Sequence, residues 1–315
     1  MTGRPTDRIE HLTPEERRFP ANMSFNGKDD YCFPADNLPI PEAESVSRVS
    51  RQQLLELSER LTPRDNEILI SLKCAKYLMT GQLQRLHVPE ASTKTAATRA
   101  TIRVMRKLNR YGLVRTFKRR IGGAYRGSSS FVWHITEAGL RLLDIQSATE
   151  TPVRKTRYLE PSYIHMRHTL AIAECYVQLV ELSRKHKQLV FAVVEWEPNN
   201  WRPYTHDGHN LQLKPDLFVV TYNGGFEDRW FIEVDLSTEA LPVVLDKCKR
   251  YYQYFQTDIE QHEHGIFPIT IWVVPDVSRK QKLIDGIADQ LGKAAKMFLV
   301  ITLEELPSTI LNGAG

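Results

Sequence analysis

The chain has little of what marks several protein classes. Its 315 residues include only 4 cysteines, Cys32, Cys74, Cys175 and Cys248, far apart and without a Cys-x-x-Cys pair. That excludes a disulfide framework and a cysteine-type zinc finger, and it suits a reducing cytoplasm. Apolar runs are short: stretches such as Ile269 to Val274 fall far below the roughly 20 residues of a membrane span. No apolar run follows the first basic residues, so no secretory signal is expected. Gly122-Gly123 is not followed by Lys-Ser/Thr, which removes a phosphate-cradling loop, and no nucleophile elbow supports Ser/His/Asp catalysis. Internal repeats and low-complexity tracts are absent. The remainder is ordinary, with 42% hydrophobic and 25% charged residues, and the length suits two domains with real cores.

What is present is charge, unevenly placed. The net charge is only +4. Residues 1–60 carry 8 Lys/Arg against 11 Asp/Glu, residues 61–145 carry 16 against 5, and residues 146–315 carry 18 against 22. One segment of 85 residues therefore holds a net +11 inside an otherwise acidic chain. Such a concentration is the electrostatic footprint of a nucleic-acid-binding module, although a solvated basic surface has the same composition. The pattern within the segment decides between them.

Residues 1–45 contain Pro5, Pro14, Pro20, Pro34, Pro39 and Pro41 with no apolar period, and read as a flexible arm. A leading helix is expected from about Val46 to Leu61, which makes residues 1–60 an arm and leading helix. The first domain then spans 61–148. Thr62, Pro63 and Asp65 form a helix-starting capping box, and Ile68, Leu69, Leu72 and Ala75 mark one apolar face. Thr80 is placed to cap a second short helix. A third helix, about Thr95 to Arg110, turns Ile102, Met105 and Leu108 inward and Arg99, Arg103 and Arg106 outward. Two strands follow, Leu113 to Ile121 and Phe131 to Thr136, around a Gly/Ser-rich tip at 122–130, and a short helix from Glu137 closes the unit.

This order, with Leu108-Asn-Arg-Tyr-Gly-Leu-Val and Trp133-His-Ile-Thr-Glu-Ala-Gly, resembles a winged helix-turn-helix over residues 62–143. The resemblance implies duplex DNA as partner. Thr95, Thr98, Arg99, Arg103 and Arg106 would face base edges and phosphates from the recognition helix. Lys118, Arg119, Arg120 and Arg126 would contact the backbone from the wing.

A basic, proline-bounded linker at 149–161 leads to a second domain, 162–315. A long helix, about Tyr163 to His186, precedes strands at Leu189 to Trp196, Pro215 to Tyr222 and Trp230 to Leu236, with Asn223-Gly-Gly as a hairpin turn. Helix Leu241 to Phe255, strand Pro268 to Val274, helix Lys280 to Lys293 and strand Met297 to Thr302 complete an α/β sandwich around a mixed sheet. Glu233 and Asp235, two apart on one strand, project from one face and interrupt an apolar run. A hard divalent cation, Mg2+ or Mn2+, held by Asp216, Glu233 and Glu174 would compensate them. Ion pairs with Lys247, Lys249 or Arg250 would do so equally.

Lys214-Pro215-Asp216 followed by Glu233-Val234-Asp235 resembles the PD-(D/E)xK nuclease superfamily, with Asp235 standing where that pattern carries the lysine that orients the attacking water. The resemblance implies catalytic roles for Asp216, Glu233 and Asp235, with Lys247 from the next helix as a substitute for the lysine. Together with the winged helix, Phe231-Ile-Glu-Val-Asp-Leu-Ser-Thr-Glu and Lys247-Cys-Lys-Arg-Tyr resemble the replication-relaxation family of plasmids and integrative elements over about residues 60–275.

Membership implies replication or mobilisation of a mobile element, with replication or conjugation proteins and a second copy of the chain as further candidate partners. Two readings stay open: a metal-dependent DNA nicking enzyme, and a non-catalytic DNA-binding initiator, accessory factor or regulator whose second domain is a binding platform. Histidine pairs at His165/His168, His206/His209 and His262/His264 lack a third ligand at a telling distance, and His262-Glu263-His264 is expected in a polar loop. Tyr251, Tyr252 and Tyr254 are weaker candidates, as nucleophiles for covalent nicking.

Overall fold

The computed structural model describes residues 49–89, 93–117, 131–147 and 161–313. The expected arm at 1–45, the expected wing contacts Lys118, Arg119, Arg120 and Arg126, and most of the expected linker at 149–161 lie outside the described residues. The rest is a mixed α and β structure that divides into two compact units, one ending at Val177 and the other beginning at Gln178.

In the first unit, α1 (Arg51–Arg60) starts at Ser50, whose hydroxyl accepts from the Gln53 amide while the Gln53 side chain accepts from the Ser50 amide. The reciprocal bond satisfies two orphan donors, and it sets the helix start later than the apolar pattern suggests. The expected Thr62–Asp65 capping box opens α2 (Pro63–Ala75). Asp65 has a second task. Its side chain is fully buried, and Lys107 Nζ lies 2.5 Å from Oδ2. Burial alone would raise its pKa, but hydrogen bonds from Lys107 and Thr62 outweigh that and hold it below the ordinary value.

Strand β1 (Leu78–Met79) leads into α3 (Thr80–His87) and α4 (Lys94–Arg110), the latter capped by Thr93. Thr80 does not cap α3; its hydroxyl instead accepts from the buried Trp133 indole at 3.0 Å. The short sheet has the antiparallel order β1-β3-β2, with β2 at Val114–Thr116 and β3 at Val132–Ile135. In α5 (Glu137–Gln146), Gly139 lies where a Cβ would stand 2.4 Å from the Leu113 carbonyl oxygen, so no larger residue fits at the end of Trp133–Gly139. Leu54, Ile68, Leu72, Leu83, Met105, Leu108 and Trp133 are all fully buried.

The unit boundary falls inside α6 (Tyr163–Lys185), later than the expected domain start at 162, because Met166 and Leu170 of its first half pack with Tyr77, Phe117 and Val132 of the first unit.

The second unit is built on a five-stranded sheet of order β10-β9-β8-β7-β4. β4 (Val190–Trp196), β7 (Leu217–Asn223) and β8 (Phe226–Val234) pair antiparallel, while β8 runs parallel to β9 (Ile269–Val274) and β9 to β10 (Phe298–Thr302). Gly224 and Gly225, with φ of 59° and 91°, make the two-residue turn between β7 and β8, a backbone that side chains with a Cβ rarely adopt. The parallel crossovers carry α7 (Leu241–Phe255), α8 (Ile259–His264) and α9 (Val277–Leu291), and α10 (Leu306–Asn312) ends the chain. Phe218, Phe231, Tyr251, Tyr254, Trp272, Leu283 and Ile287 form one core cluster. Ile232 and Val234, which alternate to the opposite side of β8, are buried too. Burial on both faces explains why β9, and β8 from Trp230 onward, read as nearly continuous apolar runs.

Three expectations need correction. Asp216 lies just before β7, and Asp235 just after β8, although the Asp235 amide still donates to the Val273 carbonyl. His262-Glu263-His264 lies in α8, with Gly265 at its left-handed end, and not in a loop. A hairpin of β5 (Arg202–His206) and β6 (His209–Leu213) fills a stretch where no strand was expected. Its exposed positions hide the apolar alternation, while Tyr204 and Leu213 join the core cluster. No helix among the described residues is long and apolar enough to cross a membrane.

Candidate nucleic-acid interface and acidic centre

Two charged constellations stand out, one in each unit. The first is the outer face of α4. At about 100° per residue, Thr95, Arg99, Arg103, Arg106 and Arg110 fall within an arc of about 80°. The buried residues Ala97, Thr101, Met105 and Leu108 fix the opposite side. Thr95, Arg99, Arg103 and Arg110 are exposed and Arg106 is half-buried. Among the described residues none of these four arginines is paired with a carboxylate. Lys107, just off the arc, is the cation drawn inward to Asp65.

Thr98 departs from its expected role. Its hydroxyl lies 2.9 Å from Gln84 Oε1 and 3.0 Å from the Lys94 carbonyl, so it ties α4 to α3. Arg110 was overlooked, though its spacing of four from Arg106 was legible.

The second constellation lies where β8 leaves the sheet beneath α7 and α9. Glu233 is fully buried. Lys247 Nζ of α7 lies 2.5 Å from its Oε2, and the Tyr251 hydroxyl, one helical turn on, donates to its Oε1. Asp216 is beside it, its Oδ2 accepting from the Val234 amide at 2.8 Å. Burial pushes the Glu233 carboxyl up, Lys247 pulls it back and the Asp216 charge pushes it up again, leaving it at about 8. Burial would lower Lys247, but the two carboxylates more than offset that and keep it protonated. With two carboxylates facing one ammonium, the fully buried one retains its proton through neutral pH.

Asp235 is neutralised from elsewhere. Its Oδ2 lies 2.5 Å from Arg279 Nε, near the start of α9, and its Oδ1 accepts from the Ser237 amide. Of the three bases weighed for Glu233 and Asp235, Lys247 alone takes the role. Lys249 pairs with Asp246, and Arg250 is exposed. Arg279, 44 residues from Asp235, has no local sequence signal.

Glu174 does not join this centre. It lies in the first unit, bonded by Arg85 and by Gln82 at 3.1 Å, because α6 presents it to α3. Among the described residues no group of three or more His, Cys, Asp or Glu side chains is placed to hold a metal ion, which also leaves the histidine pairs without a third ligand. Asp216 and Glu233 remain as two hard oxygen donors side by side, the number of carboxylates Mg2+ commonly takes when waters and phosphate oxygens complete its shell. The donor chemistry therefore fits Mg2+ or Mn2+ without Glu174.

The tyrosines do not suit nucleophilic attack. Tyr251 is fully buried and Tyr254 nearly so, and burial holds both phenols well above their ordinary pKa; Tyr252 stacks on Phe255.

The model of the replication-relaxation family matches residues 69–270. The span includes all of α4 together with Asp216, Glu233, Asp235, Lys247 and Tyr251, and it stops before Arg279. No curated protein and no solved structure matches the chain significantly.

Proposed function

The chain belongs to the replication-relaxation family, and from that premise we propose that it binds duplex DNA during replication or relaxation of a plasmid or other mobile element. One observation carries this reading: an amphipathic helix whose buried face fixes it in place while four arginines, without carboxylate partners among the described residues, share its outer face. A helix of this width fits the major groove, and arginine suits both guanine edges and phosphates. The order of helices and strands around α4 supports a winged helix-turn-helix reading, with α4 as recognition helix.

Fluorescence anisotropy with a labelled duplex tests it. Replacing Arg99, Arg103 and Arg106 with Ala should weaken binding by about two to six orders of magnitude, at about 1–3 kcal/mol for each lost specific contact. Unchanged affinity would refute the assignment.

The acidic centre supports a second reading, metal-dependent nicking. Lys247 reaches Glu233 from α7, where it can stand in for the lysine that Asp235 replaces. Asp216 and Glu233 would hold a Mg2+ or Mn2+ ion, which would supply Lewis-acid activation of a phosphodiester. Nicked circles from supercoiled plasmid with the wild type, but not with Asp216→Ala or Glu233→Ala, would establish this activity. Intact plasmid in every case would leave the second unit as a binding platform.

A further inference from the structure

Asp235 breaks the Glu-x-Lys pattern by placing a carboxylate where a cation is needed, and the side chain it recruits supplies that cation. Arg279 arrives from the first turn of α9, where its amide caps onto Asp276 Oδ1 at 2.8 Å. Its Nε meets Asp235, and its Nη2 donates to the Glu239 carbonyl at 3.0 Å. The side chain is only 12% exposed, so the guanidinium is held at a fixed orientation. Guanidinium carries five N–H donors. These two bonds engage two of them, and the other three have no partner among the described residues.

Asp235 follows β8 directly, and its Cα stands at most about 7 Å from that of Glu233, two residues back in the chain. The Arg279 head is therefore a neighbour of the Asp216–Glu233–Lys247 cluster. With the Glu233 proton displaced by a bound divalent ion, the formal charges of the cluster with Asp235 and Arg279 would be three carboxylates against two cations. A divalent ion would turn the excess negative charge positive, and one phosphodiester would then restore neutrality.

We propose that Arg279 is a phosphodiester-binding residue of this centre, held by Asp235 so that its remaining N–H groups receive a DNA phosphate. This rests on the reading of the centre as a place where DNA is received. Arginine is suited to it because its planar fork can meet two phosphate oxygens at once, which an ammonium cannot do. Asp235 is then a positioning residue, and its departure from the nuclease pattern moves the cation from the strand to α9.

The test uses the full chain with Arg99, Arg103 and Arg106 replaced by Ala, which removes the α4 contribution. A labelled duplex is titrated with and without Ca2+, an ion that permits binding without rapid cleavage. Arg279→Ala alone would strand a buried carboxylate, so the comparison is between Asp235→Asn and the double variant Asp235→Asn/Arg279→Ala, with the melting temperature followed in parallel. The double variant should melt close to Asp235→Asn and yet bind the duplex with Ca2+ about tenfold to a hundredfold more weakly. Asp235→Asn/Arg279→Lys should recover only part of that loss. Equal affinity of the single and double variants would overturn the proposal, and so would the absence of Ca2+-dependent binding in the α4-disabled chain. Failure of the chain with intact α4 to bind duplex without metal would count against the α4 reading instead.

Discussion

The outer face of α4 and the centre at the end of β8 both gather charged side chains at regular spacing, and they treat that charge in opposite ways. On α4 Arg99, Arg103 and Arg110 stand in water and Arg106 is half-buried, none has a carboxylate partner among the described residues, and such charge acts through a field that salt screens. At the end of β8 the three acidic side chains are out of water and each is tied to a named partner: Glu233 to Lys247 and Tyr251, Asp235 to Arg279, Asp216 to the Val234 amide. Exposed charge contributes in small, nearly additive steps. Buried charge shifts pKa values, and single deletions there leave something uncompensated. Within α4 itself Lys107 makes the same contrast, since it alone is committed to a buried aspartate.

The contrast breaks most visibly at Lys247. Lys247→Ala leaves Glu233 and Asp216 without their cation, and should lower stability by about 3 kcal/mol at pH 9, as expected for a broken buried pair. At pH 6 the loss should be smaller, because Glu233 then carries a proton. Urea denaturation at the two pH values measures both. A loss that is small and independent of pH would mean that the centre behaves like exposed charge.

Asp65→Ala is the corresponding break in the first unit. It removes a capping-box side chain and strands Lys107, for a cost of about 2 kcal/mol near neutrality. The folded pKa of Asp65 is depressed, so its contribution is present above the ordinary value of 3.8 and is lost as pH falls through the folded value. The gap in melting temperature between variant and wild type should therefore close on acidification.

A change confined to the pH profile should come from Glu233→Gln. In the unfolded chain this carboxyl titrates near 4.5, and in the folded protein at about 8. The folded state thus holds an extra proton between those values, and the stability this group contributes is complete below 4.5 and lost as pH rises through 8. About two pH units of that extra proton lie between pH 6 and pH 9, so Glu233→Gln should flatten the fall in stability there by up to about 2.7 kcal/mol. A slope identical to wild type would place the titration elsewhere.

How much of this could be read beforehand depended on the distance over which each feature is determined. The capping box at Thr62–Asp65, the Gly224-Gly225 turn and the face of α4 are local, set by residues within one turn or one hairpin, and their spacing showed them. That strands and helices would alternate around a mixed sheet was legible from their patterns, but the order of the strands within it was not. The β5–β6 hairpin escaped because its exposed face carries polar residues where alternation would be sought. Long-range partners were not legible: nothing near Asp235 points to Arg279, and Glu174 shares a helix with residues of both units while its partner Arg85 lies far back in the chain. Lys247 was legible as a base one helix away, but its approach to Glu233 depends on how α7 crosses the sheet.

The central claim is that exposed charge on α4, and not the buried charge at β8, drives duplex binding in the absence of metal. Its most direct test is the salt dependence of that binding for the intact chain, for the variant with Arg99, Arg103 and Arg106 replaced by Ala, and for Lys247→Ala. Each phosphate contact contributes about 0.9 to the slope of log affinity against log salt. The α4 variant should lose up to about 3 from that slope, while Lys247→Ala should keep the slope of the intact chain. Equal slopes for the intact chain and the α4 variant, or a slope reduced by Lys247→Ala alone, would contradict the account.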